Sequence, residues 1–178
     1  MKKVATILLI FGAFTLFAKG LETEEERKAI ERAHVSITEI QANFQKTMAE
    51  TLRRSGPGKS LPSCRVDATG NAKGIVVGRT SLRLRNPKNA PPEWVKPYLE
   101  EFSTLKPERV PSRKLVNLGK NHYGYLEPIF VEPICLNCHG TQINPEVHES
   151  LRQQYPADKA VGFSEGDLRG VIWLEMNQ

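Results

Sequence analysis

The chain is poor in cysteine, in aromatic residues and in long apolar runs, and each shortage narrows what it can be. It has three cysteines among 178 residues. Two of them share one short motif, which leaves Cys64 as an odd thiol. Aromatic residues make up 7% of the chain, too few to suggest a stacking surface for nucleic-acid bases. The formal charge of +5 owes most to the N-terminus. Without the three lysines of residues 1–20 it falls to +2, so nothing resembles a nucleic-acid footprint. Internal repeats and low-complexity segments are absent. No apolar run reaches the roughly 20 residues that span a bilayer.

The one extended apolar stretch lies at residues 4–17, behind Lys2 and Lys3 and ahead of Ala18-Lys19-Gly20. A positive start, a short apolar core and small residues at both positions read by a signal peptidase describe a secretory signal at residues 1–20. Its shortness favours cleavage over a permanent anchor, which is the alternative reading. No cysteine follows the run, so a lipoprotein anchor is not expected. Cleavage leaves residues 21–178, enough for a single domain with a real core but not for an added kinase or other output module. The expected location is the periplasm, with no stable membrane span in the mature chain.

The most specific feature present is Cys135-Leu136-Asn137-Cys138-His139, the C-x-x-C-H signature of c-type haem attachment. Residues three apart share one side of a helical turn, so two thiols can add to the two vinyl groups along a porphyrin edge. The histidine that follows can then bind the iron. Chance would produce the pattern in roughly one chain of this length per thousand. A thioredoxin-like dithiol would need a βαβ unit around it, and none is legible. Structural zinc needs four ligands, and adjacent Cys138 and His139 do not easily share one tetrahedron. A disulfide between Cys135 and Cys138 would close too short a loop to stabilise much. The cofactor implied is one haem c per chain.

Apolar residues at three- and four-residue steps predict a long amphipathic helix over residues 22–54: Ile30, Ala33, Ile37, Ile40, Phe44, Met48 and Leu52. Thr23 and the acidic turn Glu24-Glu25-Glu26 open it, and Gly56-Pro57-Gly58 ends it. His34 sits beside the stripe as a boundary residue. A helical turn carrying Cys64 is expected near Pro62. Residues 75–85 alternate as a strand, with Val77, Arg79, Ser81, Arg83 and Arg85 on one face. A helix is predicted over residues 93–105, presenting Trp94, Tyr98 and Phe102. Strands are predicted over 114–118, 123–131 and 168–176, with a hairpin at Gly119-Lys120-Asn121 and a short helix over 145–155. The strands exclude an all-helical cytochrome c.

Several segments together resemble a known family of small periplasmic haem domains, first described structurally in cyanobacteria. They are Gly78-Arg79-Thr80-Ser81-Leu82-Arg83-Leu84-Arg85-Asn86-Pro87-Lys88-Asn89-Ala90-Pro91 with Trp94, then Leu126-Glu127-Pro128-Ile129, the motif through Gly140, Tyr155-Pro156-Ala157-Asp158-Lys159-Ala160, and Gly166-Asp167-Leu168-Arg169-Gly170. The resemblance spans most of the mature chain. It implies an α+β fold: a PAS-like antiparallel sheet with a long N-terminal helix and a c-type haem held on the C-x-x-C-H turn.

The second axial position of the iron is open from the residues alone. Cys64 could be a buried thiol, an intermolecular disulfide or the ligand. The resemblance implies the last, a thiolate opposite His139, and a thiolate stabilises ferric iron and lowers the reduction potential. His122 is the first rival, followed by Met48, Met176 and His148. Arg79 and Arg83 are candidates to bind the haem propionates through their guanidinium forks, with Arg85 on the same face and Arg169 a weaker choice. The alternative is a solvated strand face.

Two functions compete. One is a periplasmic monohaem cytochrome passing single electrons at low potential. The other is a haem-based redox or gas sensor acting through a separate partner, which fold analogy alone does not establish. A haem enzyme such as a peroxidase would need distal acid–base residues, and none is identifiable. The partner would be a redox or signalling protein, with a homodimer left open.

Overall fold

The computed structural model describes residues 22–60 and 74–177. The signal segment 1–20 and Cys64 lie outside these residues. Helix α1 runs Glu24–Ser60, interrupted at Gly56, whose φ of 70° is not helical. Its start is a capping box: the Thr23 hydroxyl accepts from the Glu26 N–H at 3.1 Å, and the Glu26 carboxylate accepts from the Thr23 N–H at 2.8 Å.

Four strands form one antiparallel sheet: β1 Ile75–Thr80, β2 Lys114–Gly119, β3 His122–Phe130 and β4 Leu168–Asn177. Their spatial order is β1-β4-β3-β2. The last strand thus lies in the middle of the sheet, which explains why its side chains are buried on both faces. Ile172, Leu174 and Met176 pack under α1 with Ile30, Ala33 and Ile37. On the opposite face Val171 packs with Val95, Leu99 and Phe102, on and beside helix α2 (Lys96–Thr104). The result is helix, sheet and helix in three layers.

Two elements depart from the sequence expectation. The strand predicted over 75–85 stops at Thr80, because the Ser81 hydroxyl accepts the Arg83 N–H at 3.0 Å and bends the chain instead. Arg83 and Arg85 therefore do not continue the alternation of Val77 and Arg79. Helix α2 begins at Lys96 rather than 93, since Pro97 has no N–H to donate back to residue 93.

Beyond β3 the chain makes a short 3-10 turn, Pro133–Cys135, that continues into helix α3 (Leu136–His139). Helix α4, Pro145–Gln154, follows. Two small apolar clusters grip the turn. Cys135 and Leu136 pack on Val131, Ala160 and Phe163, while Cys138 packs on Val147 and Leu151 of α4.

Candidate functional site

The C-x-x-C-H motif occupies one continuous helical turn, and Cys135, Cys138 and His139 all line the same cavity of about 430 Å³. That is within the range of roughly 300–1,000 Å³ typical of small-molecule and cofactor sites. Its opposite wall is α1. The stripe that covers the sheet through Ile37 and Ile40 continues past the sheet as Phe44, Met48 and Leu52, which are half-buried against the cavity. Ile129 and Phe130 of β3 supply a further apolar wall.

His139 is prepared to act as a ligand. Its Nδ1 lies 2.6 Å from the Ala160 carbonyl oxygen. A carbonyl only accepts, so Nδ1 carries the proton and Nε2 keeps its lone pair. Burial, with Arg169 and Arg85 nearby, pushes the imidazole down to about 3, and it is neutral at physiological pH. A histidine whose second nitrogen is fixed by a backbone carbonyl is the usual arrangement at a protein metal site.

Three arginines bring positive charge to the cavity: Arg79, Arg85 and Arg169. Arg79 stacks over the Phe44 ring at 4.1 Å, tying β1 to α1. Arg85 is buried. Its Nε donates to Asp158 at 2.9 Å, and its Nη2 donates to the carbonyls of Cys138 and Ala160. Its Nη1 is buried without a hydrogen-bond partner among the described residues. Arg169 is held down to about 10 by burial and by the neighbouring Arg85 and Arg79. Arg83 takes another course: its guanidinium lies 4.0 Å over the Phe163 ring, its Nε donates to the Lys159 carbonyl, and it does not line the cavity.

Arg169 reaches the cavity through a β-bulge. Ile129 pairs with Gly170 and Phe130 with Leu168, so Arg169 is the extra residue. Simple alternation would put Arg169 on the α2 face with Val171. The bulge turns it to the α1 side and sends Leu168 to the α2 cluster.

The residues fit a haem. Two sulfurs share one turn with a neutral imidazole. Apolar walls face the space beside them. Crowded guanidiniums, one with an orphaned buried N–H, suit the carboxylates such a group carries. Among the described residues no three His, Cys, Asp or Glu side chains converge as for a bare metal ion.

Among the rival axial ligands, His122 lies at the start of β3, 3.6 Å from Glu175 and outside the cavity. His148 lines a separate small pocket, and Met176 is buried in the core under α1. Met48 lines the cavity as part of the α1 wall.

A family model described as Tll0287-like matches residues 22–176. The chain belongs to the Tll0287-like family. Among solved structures it is similar to one described as the cyanobacterial heme-protein Tll0287, with a TM-score of 0.62 at 21% identity, covering 85% of this chain and 96% of that one. At that identity the likeness concerns the fold: a long N-terminal helix over a four-stranded antiparallel sheet. No curated protein matches the chain. No helix among the described residues is long and apolar enough to cross a membrane.

The sequence contains two site residues whose roles only the fold makes visible. Ala160 acts through its backbone carbonyl, which no side-chain pattern signals. Arg85 lay on the expected arginine face but takes its role from the bend after Thr80.

Proposed function

We propose that this Tll0287-like protein is a periplasmic monohaem c-type cytochrome that passes single electrons at low potential. One haem c would be held by thioethers to Cys135 and Cys138, with His139 on the iron. The observation that carries the reading is His139 itself: a neutral imidazole, pinned at Nδ1, on one turn with two cysteines that line its cavity. The haem, when bound, supplies the one-electron Fe(III)/Fe(II) couple. The protein's part is to hold it, exclude water from one face with Phe44, Met48 and Ile129, and pair its propionates.

On this reading Arg79, Arg85 and Arg169 take the propionates, and Arg83 stays on Phe163. Cys64 would supply a thiolate as the iron's second protein ligand, which would lower the potential. With two ligands from the chain, the iron would rearrange little on reduction, as electron transfer requires. The sheet is PAS-like in this proposal, and residues 1–20 are removed on export.

A sensor is the second reading, favoured by one feature. Helix α1 carries a single stripe from the sheet core at Ile37 to the cavity wall at Met48. A change at the iron would press on that helix and reach a partner docked there.

Absorption and EPR spectra of wild type and Cys64→Ala, in both oxidation states, test the assignment. The proposal expects a low-spin ferric thiolate spectrum that Cys64→Ala abolishes, and a reversible one-electron couple insensitive to CO. An unchanged low-spin spectrum in the variant rules the thiolate out. Tight CO or NO binding to the ferrous form, with a change at α1, favours the sensor.

A further inference from the structure

We propose that Arg85 and Asp158 are positioning residues for His139: they hold the Ala160 carbonyl against its imidazole, and so set how strongly the histidine donates to the iron. The inference rests on the haem reading above.

The contacts close into a ring. One oxygen of Asp158 accepts from Arg85 Nε at 2.9 Å, and the other accepts the Ala160 N–H at 2.7 Å. Arg85 Nη2 donates to the Cys138 carbonyl at 2.5 Å and to the Ala160 carbonyl at 3.3 Å. The Ala160 carbonyl takes the His139 Nδ1–H at 2.6 Å. One carboxylate thus grips both the guanidinium and the peptide of Ala160. The guanidinium in turn grips the turn that carries His139. Backbone bonds strap the same segment down: Lys159 N–H to the Leu84 carbonyl, Gly162 N–H to Gly140 and Phe163 N–H to His139, each 2.9 Å.

The ion pair is 9% and 10% exposed. A pair buried this far gains little net stability, because desolvation offsets the attraction. What it does supply is geometry, since a planar guanidinium fixes the directions in which it meets two carbonyls and a carboxylate, whereas an ammonium is a compact charge whose donors rotate. The Nδ1–H bond to a carbonyl raises the basicity of the ligating nitrogen. A more basic ligand favours ferric iron, so a carbonyl that drifts away raises the midpoint potential.

The test uses the full chain exported and loaded with haem, as wild type, Arg85→Lys and Asp158→Ala. Arg85→Lys keeps the charge and removes the fork. Asp158→Ala frees the Ala160 N–H while keeping the Arg85 Nη2 donors that face the Cys138 and Ala160 carbonyls. Both variants are expected to raise the midpoint potential and to speed exchange of the His139 Nδ1 proton, followed by NMR in the ferrous state, relative to wild type. If Arg85→Lys keeps wild-type potential and exchange, the role is charge alone and the inference is overturned. A lower melting temperature with potential and exchange unchanged also overturns it. Should Arg85→Lys fail to fold, Asp158→Ala carries the test through proton exchange, because loss of its anion raises the potential by charge alone. Wild-type protein that carries no haem overturns the haem reading and this inference together, whereas haem-loaded variants that match wild type overturn this inference alone.

Discussion

Gly170 presses its α-carbon against the Thr80 carbonyl so closely that a Cβ at position 170 would lie 2.1 Å from the oxygen. The contact sits where β1 ends and β4 bulges, and the bulge is what delivers Arg169 to the cavity. Gly170→Ala must push β1 and β4 apart there, at a φ of 157° that alanine adopts poorly. The expected loss is about 2–4 kcal/mol in denaturant unfolding, combining overpacking with backbone strain. Unchanged stability would mean that this contact does not constrain the strands.

Glu127 connects α1 to the sheet. Its Oε1 accepts from the Tyr125 hydroxyl at 2.7 Å and from His34 Nδ1 at 2.8 Å. Tyr125 is fully buried, and burial with Glu127 beside it pushes its hydroxyl's pKa upward. Glu127→Ala strands that hydroxyl and should cost about 1–3 kcal/mol. Adding Tyr125→Phe should recover much of the loss, as a double-mutant cycle in urea would show.

Acid should weaken the fold through His139. Its imidazole is held down to about 3, against an ordinary value of 6.5. The unfolded chain binds a proton below about 6.5 that the folded chain refuses until about 3. Stability is therefore complete above that window and falls as pH drops through it, by at most about 1.4 kcal/mol per pH unit. Ligation of iron by His139, as proposed, would need the same neutral imidazole and act in the same direction. Denaturant midpoints at pH 7 and 5, compared with His139→Asn, check the claim. The variant should lose less.

Much of this arrangement is legible in the sequence, and the gaps have physical causes. The α1 stripe from Ile30 to Leu52, the capping Thr23 and the alternation of β3 and β4 follow from periodicity. The C-x-x-C-H turn is local, so its geometry follows from spacing. The arginines were harder. Strand alternation grouped Arg79, Arg83 and Arg85, but the Ser81 hydroxyl bends the chain and separates them, leaving Arg83 on Phe163. Alternation along β4 groups Arg169 with Val171, but a bulge inverts it, and a bulge depends on the register of a neighbouring strand distant in sequence. The Ala160 carbonyl is a backbone atom brought to His139 from 21 residues away.

Positive charge at the cavity should tune the couple. Arg169 lines the cavity with Arg79 and Arg85, and it has no salt bridge of its own among the described residues. With the proposed haem in the cavity, removing one cation beside it would stabilise the ferric state, so Arg169→Ala is expected to lower the midpoint potential. Arg83→Ala, outside the cavity, should leave it nearly unchanged. Spectroelectrochemical titration of the two variants separates these outcomes, and equal shifts would contradict the placement.

The covalent haem is the central claim, and the intact mass of the exported chain tests it most directly. The account predicts a mature chain heavier by one haem, with a thioether-type pyridine haemochrome spectrum and no pigment released by acidified acetone. Replacing Cys135 and Cys138 with alanine should remove the added mass. A wild-type chain at its bare polypeptide mass, or one whose haem is released by acidified acetone, would contradict it.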